Sequence, residues 1–198
     1  ELIMQILSIG ENWDSTADKQ IDALEKLCQL EHKKEKVLVF TQFADTAYYL
    51  EKELTRRGLK ELVCVTGNTE NPTSVAHRFS PISNEVKLTD TEIRVLITTD
   101  VLSEGQNLQD GHIIVNFDLP WALIRLIQRA GRVDRIGQQS EEIYCYSFLP
   151  ADGVETIINL RGRLQNRIHE NSEVVGSDEV FFDGDPVNIR DLYNEKAG

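Results

Sequence analysis

Residues 36–58 read K-V-L-V-F-T-Q-F-A-D-T-A-Y-Y-L-E-K-E-L-T-R-R-G, and the change of period inside that stretch decides the fold. Lys36–Thr41 holds a short apolar run without polar alternation, the pattern of a strand buried on both faces. Phe43, Ala47, Leu50 and Leu54 then recur at helical spacing, and Gly58 supplies the C-terminal stop. The alternation spreads outward in both directions. Upstream, Ile21, Leu24, Leu27 and Cys28 mark an amphipathic helix over 16–31, which Ser15 or Thr16 can cap. Downstream, Leu62–Thr66, Ile93–Thr98, His112–Asn116 and Ile143–Phe148 read as further apolar strands. Between them fall a short helix over Thr73–Phe79 behind Pro72, a polar loop over 80–92, and a helix from Pro120 through Ala130. An amphipathic helix over 153–169, a loop over 170–185 and a short helix over Pro186–Glu195 close the chain. Continuously apolar strands alternating with helices predict an α/β fold, a mainly parallel sheet covered on both faces with flanking helices at both ends.

At 198 residues the chain has room for one generous α/β domain, or for a domain with an appendage. Its 40% hydrophobic and 27% charged residues exclude a disordered or collagen-like chain. The net charge of −12 is the wrong sign for a free-standing nucleic-acid clamp, whose affinity comes largely from neutralising phosphates. Much of the acidity sits at the ends, with 8 acidic against 2 basic residues in 169–198. Within 121–138 the sign reverses: Arg125, Arg129, Arg132 and Arg135 stand against only Asp134, and an anion belongs there.

Cys28, Cys64 and Cys145 show no C-x-x-C spacing, and their odd number suits reduced thiols in a cytoplasmic protein. His32, His77, His112 and His169 form no ligand pattern, so no metal site is expected. No apolar run reaches the ~18 residues of a membrane span. The opening E-L-I-M-Q-I-L-S-I-G has neither the basic leader nor the cleavage site of a signal peptide. Lacking an initiator Met, the chain is expected to come from a longer one. On that reading 1–15 is a truncated lead-in, 16–169 the folded domain and 170–198 an acidic extension.

In an open parallel sheet, ligands bind beyond the carboxyl ends of the strands. Three segments that follow strands are rich in groups suited to phosphates. V-L-V-F-T-Q-F at 37–43 ends the first strand, and T-T-D-V-L-S-E-G-Q-N-L at 98–108 ends the third. The last is Q-R-A-G-R-V-D-R-I-G-Q at 128–138, where Arg132 and Arg135 lie three residues apart and can share one helical turn. In order and spacing these segments resemble motifs IV, V and VI of the second RecA-like domain of superfamily two helicases and translocases. The resemblance covers roughly residues 15–160. The closing R-I-G-Q, together with D-L-P-W at 118–121, is most similar to the bacterial Swi/Snf-like branch.

The resemblance implies a RecA-like three-layer α/β/α domain that is half of a motor. Neither a G-x-x-x-x-G-K-[ST] loop nor a D-E-x-H box is present, and the family keeps those on a preceding RecA-like domain. ATP would bind at the junction, with the Mg²⁺ ligands on that other half. Arg132 and Arg135 would reach across as arginine fingers, while Gly105, Asn107 and Gln128 face the nucleotide or orient the motif. Gln42, Thr66, Gly67, Thr98, Thr99 and Trp121 would line a nucleic-acid track, most naturally for double-stranded DNA. A narrow groove shared by two domains also reconciles such a track with the acidic total.

Each residue also has a plainer reading. Arg132 and Arg135 could be surface salt-bridge partners, Gly105 a helix cap, and Asn107 part of an Asx turn. Gln128 could be a solvated helix residue and Trp121 a core residue. The strand-end residues Gln42, Thr66, Gly67, Thr98 and Thr99 could cap the strands, and Asp100 a following helical turn. Arg129 falls outside the matched positions, so its substitution is expected to matter little. As a whole, the chain reads either as a motor half that serves ATP hydrolysis or as a non-catalytic helicase-like scaffold. Two arginines aimed at a ligand favour the motor half. A stand-alone Rossmann-type nucleotide binder would need a Gly-rich turn after the first strand, and T-Q-F-A-D has none.

Overall fold

A computed structural model describes residues 3–5, 8, 18–88, 90–102, 106–120 and 123–148. The expected helices over 153–169 and 186–195, the acidic extension, Gly105 and Trp121 lie outside the described residues.

The described chain runs α1 (Lys19–Lys26), β1 (Val37–Phe40), α2 (Ala44–Arg56), β2 (Leu62–Val65), α3 (Pro72–Phe79), β3 (Val95–Thr98), β4 (Ile113–Asn116), α4 (Leu123–Ala130) and β5 (Tyr144–Ser147). The strands form one sheet in the order β2-β3-β1-β4-β5. Every pair is parallel, and the strands start level: Val37 stands between Val95 and Ile113, with Leu62 beside Val95 and Tyr144 beside Ile113. All the carboxyl ends therefore open on one edge.

Alternate side chains of the apolar strands serve two cores, which is why the runs carry no polar alternation. Val37, Val39, Val95, Ile97, Ile113 and Val115 pack under α1 and α2, against Ile21, Leu24, Ala47, Leu50 and Leu54. Leu38, Phe40, Leu96 and Ile114 face the other way, onto Ala76 and Phe79 of α3 and onto Leu102, Leu108 and Val133. Burying each such side chain contributes about 1.5–3 kcal/mol. Truncating Leu96 or Ile97 to Ala would cost about 2–5 kcal/mol.

Three local details depart from the sequence reading. The α1 cap is Asp18, whose Oδ1 accepts from the backbone N–H groups of Gln20 (3.0 Å) and Ile21 (3.2 Å); Ser15 and Thr16, the expected caps, lie outside the described residues. Past Lys26 the helix widens into a π turn over Leu27–Glu31. Phe43, expected on the apolar stripe of α2, is 62% exposed. It occupies the N-cap with extended backbone, so its side chain falls off the helical face. β5 is an edge strand and is not apolar throughout, with Tyr144 exposed and Tyr146 buried. No helix among the described residues is long and apolar enough to cross a membrane.

Candidate functional site

The chain leaves β1 toward β2 but leaves β4 toward β5, so the carboxyl edge has a switch point between β1 and β4, where open α/β sheets take ligands. Asp118 organises it. Its carboxylate accepts from the Gln42 backbone N–H at 2.9 and 3.0 Å and from the Thr41 hydroxyl. The Gln42 side chain donates to the Leu119 carbonyl at 3.2 Å, which fixes the loop after β1 against the loop after β4.

Behind that edge lies Arg129, fully buried. Its Nε donates to Asp100 Oδ1 at 2.8 Å and its Nη1 to Asn116 Oδ1 at 3.0 Å. The guanidinium lies 5.1 Å from the Phe40 ring centroid, a cation–π contact. Arg129, which falls outside the matched motif positions, has a structural role: it ties the end of β3 to the end of β4 through the core. Arg125, one turn earlier on α4, reaches Asp100 Oδ2 at 3.0 Å. Half of the basic island is thus already paired with one acid, and Asp100 is an arginine anchor as well as a turn residue.

The other strand-end residues differ in what they can offer a ligand. Thr66 and Thr98 are fully buried. Thr66 Oγ1 pairs with the Tyr48 hydroxyl at 2.7 Å, and Thr98 Oγ1 donates to the Thr99 carbonyl at 2.7 Å. The Thr99 backbone N–H is taken by the Val65 carbonyl at 3.1 Å. Gly67 is exposed, and a Cβ built there meets nothing within 4 Å. Of the six residues expected to line a track, Trp121 lies outside the described residues, Gln42, Gly67 and Thr99 present surface at this edge, and the hydroxyls of Thr66 and Thr98 are used internally.

Arg132 and Arg135 do not share a helical turn. The α4 helix ends at Ala130, and both arginines ride on the turn that follows. Val133, fully buried between them, plugs that turn into the core. Arg135 is exposed, and its Nη1 donates to Asn107 Oδ1 at 2.9 Å, so the segments after β3 and after α4 meet there. The Leu108 backbone N–H reinforces the junction by donating to the Arg132 carbonyl at 3.3 Å. Gln128 is exposed on α4. The arginine turn leans on Gly111, just ahead of β4, whereas Gln42, Thr66, Gly67, Thr98 and Thr99 gather at the strand carboxyl ends. The expected residues thus form two groups.

The thiols behave as structural groups. Burial pushes Cys28 up to about 12, with Arg94 opposing weakly, and burial with the Glu51 carboxylate pushes Cys64 up to about 12. Asp118 has no role in the sequence reading beyond its place in D-L-P-W. Its signal was an acid placed directly after an apolar strand, N-F-D at 116–118.

Comparison with known proteins gives this geometry its context. The profile of the family described as "Helicase conserved C-terminal domain" matches residues 19–137. YqhH, an ATP-dependent helicase of Bacillus subtilis (strain 168), is 31% identical over 176 residues, covering 88% of this chain and 28% of that protein. The RNA polymerase-associated protein RapA of Pseudomonas putida (strain W619) is 37% identical over 143 residues, covering 67% of this chain and 13% of that protein. The chain spans less than a third of either relative. Among solved structures, the C-terminal part of the Fun30 ATPase domain matches with a TM-score of 0.58 at 26% identity, over 73% of this chain and 44% of that one. The C-terminal domain of the DEAD-box protein Dbp5 matches with a TM-score of 0.57 at 22% identity, over 77% and 79%, a likeness of fold alone. The all-parallel sheet is the RecA-like architecture of those domains, and the matched profile runs from α1 to the end of the arginine turn. The chain belongs to the helicase C-terminal domain family.

Proposed function

We propose that this domain is the second half of an ATP-driven, cytoplasmic motor that translocates along double-stranded DNA. In this reading, ATP sits between the arginine turn and an amino-terminal RecA-like domain of the same protein. Arg132 and Arg135 act on the charge that develops on the transferred phosphoryl group. Asn107, Gln128 and Gly105 border the nucleotide, and Gln42, Gly67, Thr99 and Trp121 line the DNA track. Thr66 and Thr98 support that track from beneath.

The observation that carries the reading is Arg135. One N–H is held by Asn107, and the rest of the planar guanidinium makes no hydrogen bond among the described residues, so a fork of donors is offered to solvent. That donor set fits an anion such as a γ-phosphate. It does not fit Mg²⁺, and no group of acids or histidines among the described residues could hold a metal ion. The metal's ligands belong on the partner domain, where the metal would neutralise phosphate charge. The names of the relatives, an ATP-dependent helicase and a protein associated with RNA polymerase, agree with a motor on nucleic acid.

The test is DNA-stimulated ATP turnover by the protein carrying both motor domains. Arg135→Ala and Arg132→Ala should each lower kcat by roughly 10³, the lower end for an arginine finger, and leave DNA affinity nearly intact. Arg135→Lys should not rescue, because an ammonium lacks the fork that spans two phosphate oxygens. Undiminished turnover in the double alanine variant would leave the scaffold reading in its place.

A further inference from the structure

The turn that carries both arginines is tied along its whole length to residues 107–111, and one carboxamide both joins that set and holds the turn to itself. Gln138, half-buried, donates Nε2 to the Gly111 carbonyl at 3.0 Å and to the Val133 carbonyl at 3.1 Å. Its Oε1 accepts from the Ser140 backbone N–H at 2.9 Å, and its own N–H closes onto the Arg135 carbonyl at 2.9 Å. Gln109 Nε2 adds a fifth point, the Ile136 carbonyl at 3.2 Å. Between these points Gly137 takes a φ of +101°, and a Cβ there would come within 3.2 Å of Gln109 Nε2, so the turn needs glycine where Gln109 passes.

These contacts call for a particular side chain at 138. Two carbonyls require donors and one N–H requires an acceptor, and a single carboxamide supplies both. Glutamate keeps the acceptor but turns an oxygen toward two carbonyl oxygens. Methionine keeps the shape and loses every side-chain bond. Arg135 is exposed and long, so nothing in its own surroundings except Asn107 limits where its guanidinium points. The backbone that launches it must be fixed instead, because a catalytic group fixed before the reaction loses less freedom in the transition state.

We infer that Gln138, with Gln109 as a second tie, is a positioning residue that pre-sets the arginine turn for the reaction. This rests on the reading of Arg135 as a finger. The experiment is a double-mutant cycle in the protein carrying both motor domains, with DNA-stimulated ATP hydrolysis followed under single-turnover conditions. Gln138→Met should lower the rate roughly 10- to 100-fold, as small misplacements of catalytic groups do. KM and DNA affinity should stay within about twofold, and amide exchange across 133–138 should quicken. Gln138→Glu should cost at least as much. In an Arg135→Ala background, Gln138→Met should cost almost nothing further, since the residue acts through Arg135.

If Gln138→Met proves unable to fold, Gln109→Ala, which breaks a solvent-exposed tie, is put through the same cycle with the same expected non-additivity. Costs that add in full, or a Gln138→Met rate equal to the parent's while Arg135→Ala is crippled, would overturn the inference. An Arg135→Ala protein with the parent's rate would instead overturn the finger itself.

Discussion

Arg129 Nε and Asp100 Oδ1 stand 2.8 Å apart, joining a fully buried cation on α4 to the first residue after the loop that leaves β3. Breaking a buried ion pair by removing one partner typically costs about 3–5 kcal/mol, because the other charge is left uncompensated. Asp100 is 26% exposed and keeps Arg125, so Arg129→Ala should fall near the low end, about 3 kcal/mol. Asp100→Asn should cost as much or more, since it strands the cation that has no exposure. Urea denaturation of the chain checks both, and the losses should change little between low and high salt. A loss under about 1 kcal/mol for Arg129→Ala would show that the pair is not a structural tie.

Gly67 and Gly137 should separate ligand approach from folding. Gly67 has no left-handed backbone and no atom within 4 Å of an added Cβ, so Gly67→Ala should change stability by no more than about 0.5 kcal/mol. If DNA passes close to that backbone, the same change should weaken DNA binding by the two-domain protein. Gly137→Ala, at φ +101° and crowded by Gln109, should cost about 1–2 kcal/mol. Filter binding and denaturation midpoints read the two effects separately, and normal DNA affinity in Gly67→Ala would remove Gly67 from the track.

The fold was legible in the sequence wherever an apolar run was both short and continuous. V-L-V-F, V-L-I-T and I-I-V-N each fell within a residue or two of the expected strand, because central parallel strands bury both faces and leave little else to read. Element ends were less legible. Phe43 looked like the first residue of a helical stripe, yet at the N-cap the backbone is extended and the ring turns outward. Asn107 and Arg135 meet at 2.9 Å, a contact that motif spacing alone does not state. Motif spacing was silent on Arg129, whose burial depends on Asp100 and Asn116, 29 and 13 residues away in the chain. Pairings of that range carry no local periodicity, so Asp118 gripping Gln42 was equally invisible.

Away from the arginine turn, Glu35 takes two imidazole N–H bonds, from His32 Nδ1 at 2.6 Å and from His112 Nε2 at 3.2 Å. The His32 bond, opposed by partial burial and supported by His112, holds the Glu35 carboxyl below its ordinary value. A carboxylate whose folded pKa is depressed stabilises the fold at higher pH, and that contribution is lost as pH falls through the lowered value. Glu35→Gln should therefore be less stable than the parent near pH 5, with the margin closing as pH falls below about 4. Urea midpoints from pH 3 to 7 test the shape. A margin that widened on acidification would contradict the sign.

The central claim is that Arg135 acts on charge present only as the phosphoryl group transfers. The measurement that addresses it most directly compares two ligands on the protein carrying both motor domains, a non-hydrolysable ATP analogue and an ADP–metal fluoride that mimics the transferring group. Arg135→Ala should weaken ADP–metal fluoride binding by roughly 10³ and leave the ATP analogue within a few-fold of the parent, since only the transition state uses the full interaction. Equal weakening of both ligands would make Arg135 a ground-state phosphate contact. No weakening of either would take it out of the site altogether.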